Sequence, residues 1–423
     1  MAITFRKNAW ILFEGAIMKT RPQAQASETG GSLRGAGVAV LCAVFFNAVF
    51  AVFNAHITAV SPVLVMAGEA VIVAGVWAVI LMNVRSLPDV RFSLLYLLLS
   101  FCIFVFVSLV QENIFLKSFR DILVLVSFFI LGSLVKKSDV ILTVKIAAFL
   151  VFSFILIEGF FPDLYVSVFQ PADYYNATRG IEFRDENALG VYGAALSYSD
   201  RFSLRPFEHR LSSLMLEQVS LGNFAVFLCM FFCGFYKSLS VFERFFILAV
   251  TLASAVTSDS RLAMGLVLLF MAGAAAFRMA PRYFPLLYMP LIVIASFIAL
   301  YGTPYAAGSI ADNLPGRIGM SVYFLSTMQW EWFLGGSLED INRAWDSGYA
   351  YIIFTQTGIG LAALWIFSSV SIAQRTAEER IYASCLSLFL FLSLLVSASI
   401  LSIKIASLLW FVAGSFMYRT RNL

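Results

Sequence analysis

The stretch SPVLVMAGEAVIVAGVWAVILMN, residues 61–83, decides the class of fold, because Glu69 is its only charged residue. A run of about 20 apolar residues is long enough to cross a hydrocarbon core about 30 Å thick as a helix. Similar runs recur along the chain, whose 423 residues are 61% hydrophobic and 13% charged. Soluble domains are roughly 25% charged. The sequence therefore predicts an all-α polytopic membrane protein.

The apolar runs divide the chain into one transmembrane domain, residues 36–418, between polar tails at residues 1–35 and 419–423. Twelve spans are predicted, at residues 36–54, 61–83, 92–112, 119–136, 140–160, 211–236, 241–257, 261–278, 283–302, 347–370, 380–398 and 400–418. The net charge of +4 does not indicate a nucleic-acid partner, because the basic residues lie in the connections between spans.

Lysine and arginine predict the orientation, because short cytoplasmic loops of membrane proteins are rich in both. With the N-terminus inside, every short inner loop carries two basic residues, whereas the short outer connections 55–60 and 399–400 carry none. The inner basic residues are Arg85, Arg91, Lys136, Lys137, Lys237, Arg244, Arg278, Arg282, Arg375, Arg380, Arg419 and Arg421. Both termini are then cytoplasmic, and the two long loops, 161–210 and 303–346, lie outside.

The five cysteines all lie inside apolar spans; Cys229 and Cys233 share a helix face, but neither has a histidine or carboxylate at ligand spacing. We expect them to be small buried residues, with no disulfide and no metal site.

Three polar segments lie at the outer border of the spans. Arg210 ends the first long loop, and Glu217 and Gln218 are predicted two turns into the following helix. An arginine here is either a snorkelling side chain or a phosphate contact, since its planar fork of donors suits an anion. A carboxylate inside a membrane is costly unless it is paired. We expect Glu217 to pair with an arginine, with Arg210 and Arg261 as candidates.

The second and third segments begin helices. Ser258-Asp259-Ser260-Arg261 is either an anion-binding helix start or a plain N-cap followed by an interfacial arginine. An anion would be bound by the free N–H groups at the helix start. Asp346 begins the span at 347–370 and is either a helix cap or a general base.

Other ionisable residues lie near the same border. Lys117, Arg120 and Asp121 are either a surface cluster, which we favour, or a further phosphate contact. Glu69, Glu158 and Lys404 are predicted to be isolated ionisable residues within spans, and Lys404 either reaches the site or snorkels. The first long loop is rich in aromatic residues, which suits either carbohydrate binding or an ordinary folded loop.

Taken in order, these segments resemble the O-antigen polymerase and ligase superfamily of membrane glycosyltransferases. The resemblance rests on Arg210, Glu217 and Gly222, on Ser258, Ser260 and Arg261, and on D-S-G-Y…G-I-G from Asp346 to Gly360. The motifs cover about a tenth of the chain. In the ligases a histidine stands where this chain has Asp346, and this difference favours a polymerase.

The resemblance implies a GT-C-like fold in the bacterial inner membrane and an inverting, metal-independent transfer that needs no cofactor. Polyprenyl-diphosphate-linked oligosaccharide would be donor and acceptor, with a flippase and a chain-length co-polymerase as candidate partners beside membrane lipid. Arg210 and Arg261 would bind the diphosphate, with Ser260, Arg120 and Lys404 as further contacts, and Asp346 or Glu217 would be the catalytic base. The alternatives are an O-antigen ligase and, from another class, a lipid-linked oligosaccharide flippase.

Overall fold

The computed structural model describes residues 34–180, 189–195, 204, 206–307, 314–336, 341, 344 and 347–420. These residues form α-helices and short 3-10 turns, and no strand occurs among them. The helices are α1 Arg34–His56, α2 Pro62–Met82, α3 Arg91–Val110, α4 Leu116–Ser133, α5 Lys137–Phe160, α6 Pro162–Phe169, α7 Pro171–Arg179, α8 Gln218–Phe235, α9 Val241–Thr257, α10 Arg261–Met279, α11 Tyr288–Leu300, α12 Leu314–Ser326, α13 Gly348–Val370, α14 Ala377–Leu394 and α15 Ile403–Thr420.

Each of the twelve predicted spans overlaps one of these helices, namely α1–α5, α8–α11 and α13–α15. Within the described residues, seven helices are long and apolar enough to cross a membrane: α1, α2, α3, α5, α8, α10 and α13. The apolar parts of α11 and α15 are shorter. The all-helical membrane class is therefore supported, whereas the count of twelve spans stays a prediction.

Exposure of apolar side chains is the strongest structural indication of a lipid environment. Val63 and Leu81 of α2 are 74% and 64% exposed, and Leu98 of α3 is 58% exposed. Contiguous apolar surface of this extent is rare in soluble monomers, but it is the expected outer surface of a bundle that contacts lipid. By contrast, every residue of α8 except Val219 is buried, so α8 lies at the centre of the bundle.

Helices α4 and α15 pack in close contact because each has a glycine that faces the backbone of the other. A Cβ atom at Gly132 would overlap the backbone at Phe411, and one at Gly414 would overlap the backbone at Phe129. Small residues at such positions let two backbones approach closely, which is how helices in membranes gain dispersion energy. This contact fixes α15, which carries Lys404, against α4, which carries Arg120.

Hydrogen bonds and ion pairs divide the helix ends between two faces. On one face, the end of α5 bonds to the segment before α8, and Leu211 N bonds to Thr257 O at the end of α9 (2.9 Å). On the opposite face, Lys137 at the start of α5 pairs with Glu378 at the start of α14 (3.1 Å). The ends are grouped as the basic pairs predict, and the first face, predicted to be periplasmic, is here called the site face.

The described parts of the two long loops are largely helical. The first contains α6 and α7, and the second contains α12 and the 3-10 turn Trp330–Leu334. His56 at the site-face end of α1 lies 3.0 Å through Nε2 from Val168 O of α6, which places α6 over that end of the bundle.

Candidate functional site

The segment from His209 to Glu217 enters the site face as an irregular turn rather than as a helix. Ser213 and Leu216 have positive φ angles of 51° and 58°, and α8 begins only at Gln218. The predicted start at residue 211 is therefore wrong, and Glu217 lies at the N-cap of α8 instead of two turns inside it. A right-handed helix cannot pass through Ser213 and Leu216, because both residues adopt the left-handed conformation. This conformation is uncommon for residues other than glycine.

Glu158, at the end of α5, holds this segment in place. Its fully buried carboxylate accepts bonds from the backbone N–H groups of Ser212 (2.9 Å) and Ser213 (2.5 Å). Nε2 of the buried His209 lies 3.8 Å from the same carboxylate. The expectation that Glu158 is isolated is therefore wrong. Its carboxylate accepts the hydrogen bonds that backbone carbonyl groups would accept if this segment were a helix.

Glu217 forms a second, partly buried ion cluster on the site face. Its carboxylate lies 2.5 Å from the Arg179 guanidinium and 3.3 Å from Lys404 Nζ, which also donates to Met215 O (2.9 Å). The expected pairing of Glu217 with an arginine is confirmed, but the arginine is Arg179 in α7, not Arg210 or Arg261. Lys404 is likewise not isolated: it is buried and joins α15 to the turn before α8.

The electrostatics of Glu217 favour the charged form. Burial would raise the pKa of its carboxyl, but the Lys404 and Arg179 cations and a hydrogen bond from Ser220 outweigh burial and lower the pKa to about 2. At neutral pH the group is ionised and a weak proton acceptor, because a base works best with a pKa near the working pH. The predicted catalytic role of Glu217 is disfavoured in this geometry.

A third cluster joins α2, α4 and α13. Arg120 donates to Glu69 (2.5 Å) and to Asp121 (2.6 Å), and Asp121 accepts from the Tyr351 hydroxyl (3.2 Å). Asp121 is 4% exposed and Glu69 is 8% exposed. The favoured interpretation of Arg120 and Asp121 as a surface cluster is therefore wrong, and so is the isolation of Glu69. Because Arg120 is balanced by two carboxylates, a diphosphate would have to compete with them.

The other predicted site residues are placed as follows. Arg210, partly buried, donates from Nε to Ser258 O (2.9 Å), which brings it to the start of α10. Ser260 is the N-cap of α10 and accepts from Ala263 N (3.4 Å), as the plain-cap reading predicts. Arg261 is exposed in the first turn of α10. Asp346 lies outside the described residues, so its convergence with the two arginines stays a prediction.

A cavity of about 380 Å³ opens beside the third cluster. Most of its wall is apolar and comes from Met66, residues 114–116, Ile341 and Ala398, with Lys117, Ser118, Tyr351 and Thr355 as its polar members. Lys117 Nζ lies 5.1 Å from the centre of the Tyr351 ring. The cavity therefore combines an apolar wall with a cation, and Tyr351 connects it to Asp121.

Sequence reasoning did not find this cavity, nor the role of Arg179. Arg179 is one of several charged residues in the first long loop, and nothing in its local sequence distinguishes it from the others. Tyr351 lies 230 positions from Asp121, so their hydrogen bond depends on tertiary packing.

The chain matches no protein-family model, and no curated protein or solved structure is significantly similar to it.

Proposed function

We propose that this protein is a membrane glycosyltransferase that polymerises polyprenyl-diphosphate-linked oligosaccharide repeat units at the site face, in a bacterial inner membrane with that face towards the periplasm. The transfer is inverting and uses no metal. The observation that carries the proposal is the 380 Å³ cavity, because its apolar wall and its Lys117 cation suit a ligand that is both lipid and anion.

In this proposal Lys117 in the cavity wall and Arg210 at the start of α10 bind the diphosphate leaving group. Lys117 lies in the cavity wall, whereas Arg120, one turn further along α4, is held by Glu69 and Asp121. Arg210 is held against the start of α10 by its bond to Ser258 O (2.9 Å), so its guanidinium is oriented before any ligand arrives. Donors fixed in advance around a developing negative charge lower a reaction barrier without reorganising, which is the main requirement when the leaving group is a diphosphate.

The proton acceptor in this proposal is Asp346, which directly precedes the N-cap of α13. The acceptor hydroxyl gives its proton to the Asp346 carboxylate and attacks the anomeric carbon, while the bond to the diphosphate breaks. Glu217 keeps Arg179 and Lys404 in position and does not take the proton, because its pKa is too low.

The test is polymerisation by the purified protein in liposomes, with lipid-linked repeat units extracted from cells that lack this chain. Wild type should build a ladder of products that grow by one repeat unit. Lys117→Gln should reduce the rate about tenfold or more, because a cation facing a phosphate contributes on the order of 1.5–3 kcal/mol. Lys237→Gln, an exposed lysine on the opposite face, is the matched control and should polymerise normally.

Other outcomes identify the alternatives. Transfer of one glycan to an added lipid-core acceptor, without a ladder, would make the protein a ligase. Movement of the lipid-linked unit between leaflets, without any new glycosidic bond, would make it a flippase. Normal polymerisation by Lys117→Gln would remove the cavity from the donor site.

A further inference from the structure

Helix α13 is broken in its middle at Thr357. This residue has φ 63° and ψ 172°, a conformation that is strained for any residue with a side chain. The Thr357 hydroxyl accepts bonds from Ile359 N (3.2 Å) and Gly360 N (3.4 Å), so a second helical segment starts here. Irregular backbone at membrane depth is tolerated only where protein covers it or where it borders a cavity.

The 3-10 turn Trp330–Leu334 and the two glycines after it lie against this break. Gly336 N donates to Phe354 O (2.9 Å), and Gln111 Nε2 of the α3–α4 connection donates to Gly335 O (3.3 Å). Gly335 has φ 117°, and a Cβ at Gly336 would overlap the Phe354 ring, so the close approach requires both glycines. The turn is thereby fixed between α3 and α13.

A second cavity of about 700 Å³ lies between the turn and the break. It is lined by Trp330, Glu331, Leu334, Gly358, Ile359 and Ala362. Among the described lining residues, Glu331 is the only charged one in this cavity, and Lys117 is the only charged one in the first. The Trp330 indole is 83% exposed, so most of its surface is accessible to a ligand.

These side chains select a ligand that is polar but not anionic. An exposed indole face packs well on the apolar face of a sugar ring, and a carboxylate accepts hydrogen bonds from sugar hydroxyls. The same carboxylate repels a diphosphate, because like charges at short range are unfavourable. Lysine in one cavity and glutamate in the other thus match the two chemically different parts of a lipid-linked glycan.

We propose that the second cavity, between Trp330–Leu334 and the break in α13, binds the uncharged saccharide of the acceptor chain. This proposal rests on the proposed function, of which it specifies the acceptor subsite. Helix α13 then contributes Tyr351 and Thr355 to the first cavity and Gly358, Ile359 and Ala362 to the second. One helix therefore borders both the donor and the acceptor subsite.

Photo-crosslinking in lipid nanodiscs tests the subsite without requiring turnover. The probes are dodecyl maltoside with a diazirine on its terminal glucose, and dodecyl phosphate with a diazirine next to the phosphate. Labelled positions are read by peptide mass spectrometry over a range of probe concentrations. The maltoside should label residues 330–334 and 358–362, and the phosphate should label residues 114–118.

Variants separate specific binding from adhesion of the probe. Glu331→Gln should raise the maltoside concentration needed for half-maximal labelling about tenfold, since a hydrogen bond to a charged group is weakened. Trp330→Ala should raise it by a similar factor. The control, Asp163→Asn, removes an exposed carboxylate in α6 that lines neither cavity, and should leave labelling unchanged.

The outcomes keep this inference separate from the proposed function. Maltoside labelling that ignores Glu331→Gln and Trp330→Ala, or that favours residues 114–118, would overturn the subsite even if the protein polymerises. Labelling as expected in a protein that builds no polymer would support a saccharide site and refute the polymerase instead.

Discussion

Replacing Glu217 by glutamine should destabilise the protein through electrostatics alone. Glutamine has nearly the same shape, but it leaves the buried Lys404 ammonium and the half-exposed Arg179 guanidinium without their shared carboxylate. The lowering of the Glu217 pKa from 4.5 to about 2 corresponds to about 3 kcal/mol. Only the pair with Lys404 is buried, because the Arg179 side chain is 45% exposed and solvent screens its share, so we expect a loss of about 2–3 kcal/mol.

A companion variant isolates the cause. Lys404→Met should cost less than Glu217→Gln, because Glu217 keeps its bond to Arg179 (2.5 Å). The double variant, Glu217→Gln with Lys404→Met, should recover a large part of the stability lost in Glu217→Gln, because it removes one of the two unpaired cations. The free energies come from equilibrium unfolding in mixed micelles, followed by helical circular dichroism, with Asp163→Asn as an exposed carboxylate control.

The pH dependence gives a second readout of the same ion pair. Because the folded pKa lies below the unfolded value of 4.5, the stabilisation is fully present above pH 4.5. It is lost as the pH falls from 4.5 towards 2, and Glu217→Gln should lack this loss. If Glu217→Gln unfolds within about 0.5 kcal/mol of wild type at pH 7, as an ordinary surface substitution does, the cluster does not hold the structure as described.

Three further predictions concern the site. Asp346→Asn should lower the rate of polymerisation about 10²–10⁴-fold with the donor still bound, the usual contribution of a positioned base; a normal rate would leave Asp346 as a cap only. Arg210→Lys and Arg261→Lys should each lose most activity at normal protein levels, because lysine lacks the planar fork of donors; near-normal polymerisation in both would favour snorkelling. Cysteines placed in residues 161–210 and 303–346 should react with a membrane-impermeant thiol reagent from the periplasmic side, and protection of either loop would contradict the orientation.

The helices themselves were predictable because each is encoded locally. A run of about 20 apolar residues has one inexpensive conformation in lipid, since only a helix satisfies its own backbone there. Ser260 was recognisable as a helix start because a serine N-cap is also a local signal. The pairs of lysine and arginine predicted which helix ends lie on the same face. The start of α8 was placed seven residues too early, because residues 211–217 are apolar enough for a span while Glu158, more than 50 positions away, binds their backbone.

The sequence by itself determined the helical membrane class of the protein, the approximate positions of twelve of the helices and the presence of costly charges near one face. Tertiary structure decided which charges meet: Arg179 with Glu217 and Lys404, and Arg120 with Glu69 and Asp121. It also formed the two cavities that α13 borders. The physical reason is that hydropathy is a property of each segment, whereas an ion pair or a cavity depends on how distant helices pack.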